Sequence, residues 1–518
     1  MRTGDGRIAI VGAGFSGAAL AIQLLRRGAG NVALIERSGR FGPGVAYGTT
    51  CDRHLLNVRS GRMSLFPDRP GHFVRWLESE GLDSLPTGFA RRRDYGRYVR
   101  ACLAEAQVGA PGRLTLITGE VERLGLAADG ADVRLSDGRV LQAAAVVLAN
   151  GNAPPAELPI TGLGHLGERC IADPWAPGAL DVVGPDEDLV LVGTGLTAVD
   201  VLLALEAGGW RGRALALSRR GLLPRTHAEQ GERGEGSPPT GAISWRLRDV
   251  RRRGRDSSWT DVMDGLRPHG QAMWGDAGPA ERARFLRHLR PWWDVHRHRM
   301  APEVGAAVDR LIGDGRLLVA AGRLLRVEAQ DDGLSVEWRP RGGEGSQVTR
   351  ARRLINCTGP QGDPARAGEP VLSELLAVGV ARTDPLRLGL DVDHAGRVLD
   401  KDGRPQARLW AMGPLTRGAL WEIVAVPEIR QQAADLAERL APAEGAGAKP
   451  RRIARHLEDV GESYGEHFAV AALFGARLMG AGAACMIHAV APWLFTDTAS
   501  RTVRKLHAQL TARTSRPE

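Results

Sequence analysis

The sequence predicts an α/β chain of two βαβ units, the second inserted within the first, with a small helical unit appended at the end. Three observations carry this. A short apolar run, a glycine-rich turn and an Ala/Leu-rich helix follow one another twice, at residues 7–25 and 188–207. Two further apolar runs, each ending in a small polar residue and glycine, bracket the second unit at 146–151 and 354–359. Beyond residue 441 the composition shifts toward small and apolar residues.

At 518 residues the chain exceeds one compact domain and suggests three or four units. Its 43% apolar content is ordinary for a protein that buries a sizeable core. The net charge of +9 invites a nucleic-acid reading, which the detail opposes. Apart from Lys401, Lys449 and Lys505 every basic residue is arginine, the mark of a GC-rich coding bias. Aromatic residues do not alternate with the arginines, so no platform for stacking bases is visible and no nucleic-acid partner is expected. Cys51, Cys102, Cys170, Cys357 and Cys485 form no CxxC or CxxxxC pair. That pattern fits a reducing, cytoplasmic compartment and argues against a disulfide framework or a flavin–disulfide reductase. The apolar stretch from Ile8 to Leu25 carries three glycines and no cleavage site, so it reads as strand, turn and helix instead of a signal peptide.

In the first unit residues 7–11 lead into Gly12-Ala13-Gly14-Phe15-Ser16-Gly17, and a second apolar run ends in Glu36. This is the Rossmann dinucleotide fingerprint in its required context. Gly12 permits the tight turn, Gly14 lets a pyrophosphate approach the backbone, and Gly17 lets helix and strand pack closely. Phosphate charge then sits on the positive helix end, and Glu36 stands where a carboxylate accepts from a ribose hydroxyl.

The second unit repeats the pattern with Gly193-Thr194-Gly195-Leu196-Thr197-Ala198, where Ala198 replaces the third glycine. Its second strand ends in Ser218-Arg219-Arg220 in place of an acid. A hydroxyl and two guanidiniums suit a ribose phosphate, so NADPH is expected here over NADH. Two units with different endings imply two dinucleotides: FAD at the N-terminal unit and NADPH at the inserted one. The strand ends at Asn150-Gly151 and Thr358-Gly359 let the chain pass close to a cofactor, and Gly413-Pro414 is expected along the ribityl and pyrophosphate portion of FAD. The expected domains are 1–160 and 346–440 for FAD, 161–345 for NADPH, a linker at 441–450, and a helical unit at 451–518.

These motifs together resemble a bacterial family of FAD/NAD(P)-binding proteins that includes a urate hydroxylase and an aspartate N-monooxygenase. The resemblance covers roughly residues 6–440 and rests on Phe41-Gly-Pro-Gly-Val-Ala-Tyr-Gly48, His54-Leu-Leu-Asn57, Gly61-Arg-Met-Ser-Leu-Phe-Pro67, Ala172-Asp-Pro-Trp175, the run from Arg287 to Arg299, and Gly413-Pro-Leu-Thr-Arg-Gly418. It implies that NADPH reduces the flavin and that reduced flavin and oxygen give a flavin hydroperoxide, which hydroxylates a small polar, nitrogen-containing substrate. The protein then supplies orientation, dryness and charge. The region before the second glycine loop also resembles a worn Baeyer–Villiger signature. Gly167 and Trp175 are in register, but His165 and Ile171 occupy the Phe and His positions, which puts that chemistry in doubt.

The segment after the first unit supplies the candidates beside the flavin. His54, Asn57 and Arg62 are the catalytic candidates, and Asn57 and Met63 are expected to touch the cofactor. Residues 287–299 read as one helix with Trp292, His296 and Arg299 on a face, either a packed helix with a basic side or a lid; no metal site is expected there. In the last unit the apolar stretch 468–495 is broken by Arg477, His488 and Pro492. Its charges are costly inside a bilayer, so a helical hairpin on a partner or on the membrane surface is favoured over a span. Two other functions stay open at this point: an NADPH-dependent flavin or quinone-type reductase, and a non-catalytic redox sensor.

Overall fold

The computed structural model describes residues 6–160, 163–228, 237–441, 464–491, 493–498, 500–502 and 505. The chain divides into two units, residues 1–441 and 442–518.

The first sheet of the larger unit runs Arg397–Leu399, Pro405–Ala411, Ala145–Leu148, Ile8–Val11, Val32–Glu36, Leu114–Thr118. All neighbours are parallel except the first pair. Its central strands are continuous apolar runs because both faces are covered. Ile8 and Ile10 join a core with helices Phe15–Arg26, Arg92–Val108 and Val426–Leu440. The alternate residues Ala9 and Val11 pack with the strands Val121–Leu126, Ala131–Leu135 and Val140–Ala143 and helix Pro370–Ala377.

The second sheet has seven strands in the order Gln347–Ala351, Gly333–Pro340, Leu317–Gln330, Ala214–Ser218, Leu189–Val192, Arg353–Asn356, Cys170–Ile171. In sequence all of these lie between Ala145–Leu148 and Arg397–Leu399 of the first sheet, so the second unit is inserted in the first. Between Ala214–Ser218 and Leu317–Gln330 the chain adds a helical layer: Ile243–Asp256, Trp259–Leu266, Gly270–Asp276, Pro279–His288 and Arg290–Arg297.

That layer corrects one expectation. Residues 287–299 are not one helix: Pro279–His288 ends, the chain turns at Leu289, and Arg290–Arg297 begins anew with Pro291 in its first turn. Proline lacks the amide that a continuous helix would need and suits a helix start. Trp292 and His296 do share a face, the His296 Nδ1 lying 2.7 Å from the Trp292 carbonyl. Arg299 lies beyond the helix, buried against Asp264.

The last unit contains the helix Tyr464–Val490, and helical residues resume at Thr498. Among the described residues no helix is long and apolar enough to cross a membrane. Except for Ala441, the expected linker lies outside the described residues. Every strand of both sheets precedes residue 441, and helix Val426–Leu440 already buries Ala433, Leu436 and Ala437 in the first core. A chain ending at Ala441 is therefore expected to fold, stay soluble and keep its flavin, as flavin content and thermal melting would report. Aggregation or flavin loss in that shortened chain would make the last unit part of the core.

Candidate functional site

The first glycine loop is shaped by close approach. Gly12 has φ +98°, and a Cβ there would lie 2.4 Å from the Ala149 carbonyl oxygen. At Gly17 it would lie 1.9 Å from the Gly12 oxygen. Gly14 differs: its backbone is extended, and a Cβ would meet only Gly44, at an ordinary 3.4 Å. Packing does not demand glycine there, whereas an approaching pyrophosphate would. Phe15 and Ser16 open the helix, and Gly413 (φ +66°) is pressed so near that a Cβ would reach 2.5 Å from the Ser16 Oγ. Glu36 closes the cradle: its carboxylate accepts from the Ala13 amide at 3.0 Å and from the Ser38 amide and hydroxyl at 3.1 and 2.8 Å. Beside it Gly151 has φ +76°, and the buried Oδ1 of Asn150 has no hydrogen-bond partner among the described residues. An orphaned acceptor next to a glycine cradle fits a ligand that brings donors, as FAD does.

The second loop has the same construction. A Cβ on Gly193 (φ +124°) would lie 2.2 Å from the Cys357 oxygen, while Gly195 and Gly359 face open space. Leu196 and Thr197 start the helix Leu196–Ala207. The Thr194 hydroxyl donates to the Leu222 carbonyl at 2.6 Å and lies 2.9 Å from the Ser218 hydroxyl, which also accepts from the Gly221 amide at 3.0 Å. Ser218 is thus engaged in holding the turn, a role that sequence reading did not foresee. Arg219 is exposed and has no hydrogen-bond or ion-pair partner among the described residues. Arg220 sits with its guanidinium carbon 5.9 Å over the Trp292 ring. Two arginines uncommitted to carboxylates are suited to a phosphate.

The segment that follows the first glycine loop joins the two sheets within residues 1–441. His54 is buried, its Nδ1 2.8 Å from the Thr49 hydroxyl and its Nε2 2.8 Å from the Asp200 carbonyl. Burial pulls its pKa down, but the Cys51 thiol and the Asp200 carboxylate and carbonyl outweigh this and hold it above the ordinary histidine value. With both nitrogens engaged, His54 positions the two sheets and has no nitrogen left for a reacting group. The Arg92 guanidinium grips the Asp200 carboxylate at 2.7 and 3.1 Å, and the Trp175 ring meets His54 edge-on at 6.1 Å. Asn57 is half-buried, its carbonyl accepting from His227 Nε2 at 3.1 Å. Arg62 is exposed at the end of a turn. Met63 is buried in the first core and presents no open surface, in contrast to the expected cofactor contact.

Where the two connections pass between the sheets, a cleft of about 350 Å³ opens, lined by Asn150–Ala153, Pro360–Gly362 and Pro414. It lies at the carboxyl ends of strands, where open α/β sheets bind ligands. Arg290, Arg387 and Arg417 outnumber the one carboxylate of its lining, Glu369, and make it cationic. Arg387 is paired with Asp363 at 2.7 Å, and Arg290 with Asp294 at 3.3 Å. Arg417 stacks 4.9 Å over Trp421; burial, and then the nearby Arg290, lower its pKa to about 10. Close by, Glu422 is buried with φ +69° and accepts from Trp293 Nε1 at 2.7 Å, with Arg297 at 3.0 Å. Burial alone would raise its pKa, but His298 and Arg297 hold it well below the carboxylate range. Sequence reasoning missed Arg417, Glu422, Arg92 and Asp200. Arg417 sits inside a quoted motif without a partner in sequence to give it a role.

Residues 9–153 match the model of a family described as FAD-NAD(P)-binding, and residues 451–513 match a family of unknown function. No curated protein matches the chain. Among solved structures it is similar to an ornithine hydroxylase of Pseudomonas aeruginosa, at 17% identity and TM-score 0.60 over 84% of this chain and 98% of that one. An ornithine N-hydroxylase of Kutzneria sp. 744 matches at 16% and 0.60 over 84% and 98%. An L-lysine 6-monooxygenase of Pseudomonas syringae matches at 17% and 0.58 over 84% and 99%. At these identities the likeness establishes a shared fold.

Gly14→Asp tests the first cradle. The added carboxylate would occupy the pyrophosphate's approach with like charge, while its Cβ would meet only Gly44, at 3.4 Å. The variant is expected to fold and to lose its flavin; full FAD occupancy would remove the loop from the binding site.

Proposed function

We propose that the chain is an FAD-dependent, NADPH-using monooxygenase that hydroxylates a small nitrogen-containing substrate. The observation that carries this is the pair of glycine cradles with opposite endings, the Glu36 carboxylate at one and the uncommitted Arg219 and Arg220 at the other. The shared fold with ornithine and lysine hydroxylases supports the reaction class.

In this reading residues 1–160 and 346–440 hold FAD and 161–345 hold NADPH. When bound, FAD supplies the oxygen chemistry. The residues do the rest: Glu36 accepts from a ribose, the first-turn amides of Phe15–Arg26 and Leu196–Ala207 face phosphates, and Arg219 and Arg220 take the ribose phosphate. Asn57 and Arg62 stay the candidates for contact with the reacting end, with His54 positioning their segment. The cationic cleft beside Asn150 and Arg417 suits a substrate that carries a carboxylate. The chain works in the cytoplasm. The last unit, whose helix exposes Met479, Met486 and Val490, takes no part in the chemistry and serves a contact with a partner or a membrane surface.

Two measurements test this. Replacing Arg219 and Arg220 together by alanine should raise KM for NADPH about tenfold or more and leave KM for NADH nearly unchanged, since each charge-assisted bond contributes about 1.5–3 kcal/mol. Equal use of both coenzymes by the unmodified protein would contradict the phosphate reading. Mixing the reduced protein with oxygen in a stopped flow should give reoxidation delayed over seconds. Immediate reoxidation with stoichiometric hydrogen peroxide would favour the simple reductase, and failure of NADPH to reduce the flavin would favour the sensor.

A further inference from the structure

The helical layer between Ala214–Ser218 and Leu317–Gln330 lines a second cavity, of about 670 Å³, which meets the second glycine unit only at Trp292, under the Arg220 guanidinium. We infer that it is a binding site for an aromatic carboxylate, separate from the cationic cleft. Ligand sites are concave, mostly apolar, and carry a few polar groups that fix orientation, and this cavity has that make-up. Trp259, Trp274, Trp292, Trp293, Phe285 and Trp421 converge on it. Trp274 and Trp421 are stacked at 4.6 Å with Phe285 edge-on to Trp421 at 5.4 Å, which forms an aromatic floor. At the mouth Trp259 and Trp292 are 36% and 43% exposed, a large apolar surface for a wall facing water. Indole faces favour a planar ring in offset or edge-on contact.

The charge of the lining selects the other end of the ligand. Its charged residues are Arg246, Arg251 and Arg282 against the single carboxylate of Glu281. Arg246 and Arg282 are held in place by main-chain carbonyls, at 2.8 Å from Gly241 and 2.9 Å from Trp274. Arg251 is exposed and has no ion-pair partner among the described residues. Arg246 and Arg282 each also give a second guanidinium nitrogen to a main-chain carbonyl, Met273 for Arg246 and Gly275 for Arg282, both at 3.1 Å, so the fork left open to a carboxylate is that of Arg251. One wall is shared with the cleft: Trp421 lines the cavity, and Arg417, stacked on it, lines the cleft.

The test is calorimetric titration of the full-length flavoprotein with naphthoate and with its neutral isostere naphthamide. Single-site, saturable binding of naphthoate is expected, with naphthamide bound more weakly. Gly254→Trp, where a Cβ meets nothing within 4 Å, and Val262→Trp should each fill the cavity and weaken binding about tenfold or more. Unchanged flavin content in both variants would report that they fold. Arg251→Ala should reduce the affinity for naphthoate and spare naphthamide. Absence of saturable binding, equal affinity for the two probes, or naphthoate affinity retained in both filled variants would overturn the assignment.

Discussion

Two missing side chains hold the larger unit together. Where Gly12 meets the Ala149 carbonyl and Gly193 meets the Cys357 carbonyl, a Cβ would stand 2.4 and 2.2 Å from main-chain oxygen, closer than real Cβ atoms come. Both glycines also have φ in the left-handed region, at +98° and +124°. In each sheet this contact brings the strand that leads to the other sheet against the strand that opens the glycine loop. The same approach therefore shapes the cradle and fixes where the chain crosses. Loop and crossing are one construction, made twice, and the cleft opens where the two crossings pass.

The crossings alone would leave the two sheets of the larger unit free to hinge. The segment that begins at Arg53 ties them: Arg53 pairs with Glu206 at 2.7 Å, His54 reaches the Asp200 carbonyl, and Arg92 grips the Asp200 side chain. Asp200 and Glu206 both lie on helix Leu196–Ala207, whose first turn forms the second cradle. A buried, doubly bonded carboxylate such as Asp200 is costly to leave unpaired, so this seam favours a defined spacing between the two cradles. Hydride transfer between two bound dinucleotides requires such a spacing.

The parts of this structure that were legible in the sequence are those written in contiguous residues. The two glycine loops, the insertion and the helix starts follow from local pattern, because a tight turn and a helix end each depend on a few neighbouring positions. Features made by distant pairs were not legible. Arg92 and Asp200 are 108 residues apart, and Trp293 and Glu422 are 129 apart. His54 read as a catalytic candidate because its motif is distinctive, yet its nitrogens are committed to docking. Met63 read as a cofactor contact and is core. Ser218 read as a phosphate ligand and holds the turn beneath it. The aromatic cavity went unseen because its tryptophans come from several short helices, and Pro291 divides the run that read as one.

The central claim, that one chain brings NADPH to FAD, is tested most directly by adding NADPH to the purified protein without oxygen and following flavin absorbance. The account predicts a yellow protein whose released cofactor is FAD, fully bleached by one equivalent of NADPH and bleached more slowly by NADH. A protein purified without FAD, or one whose FAD stays oxidised under excess NADPH, would contradict it.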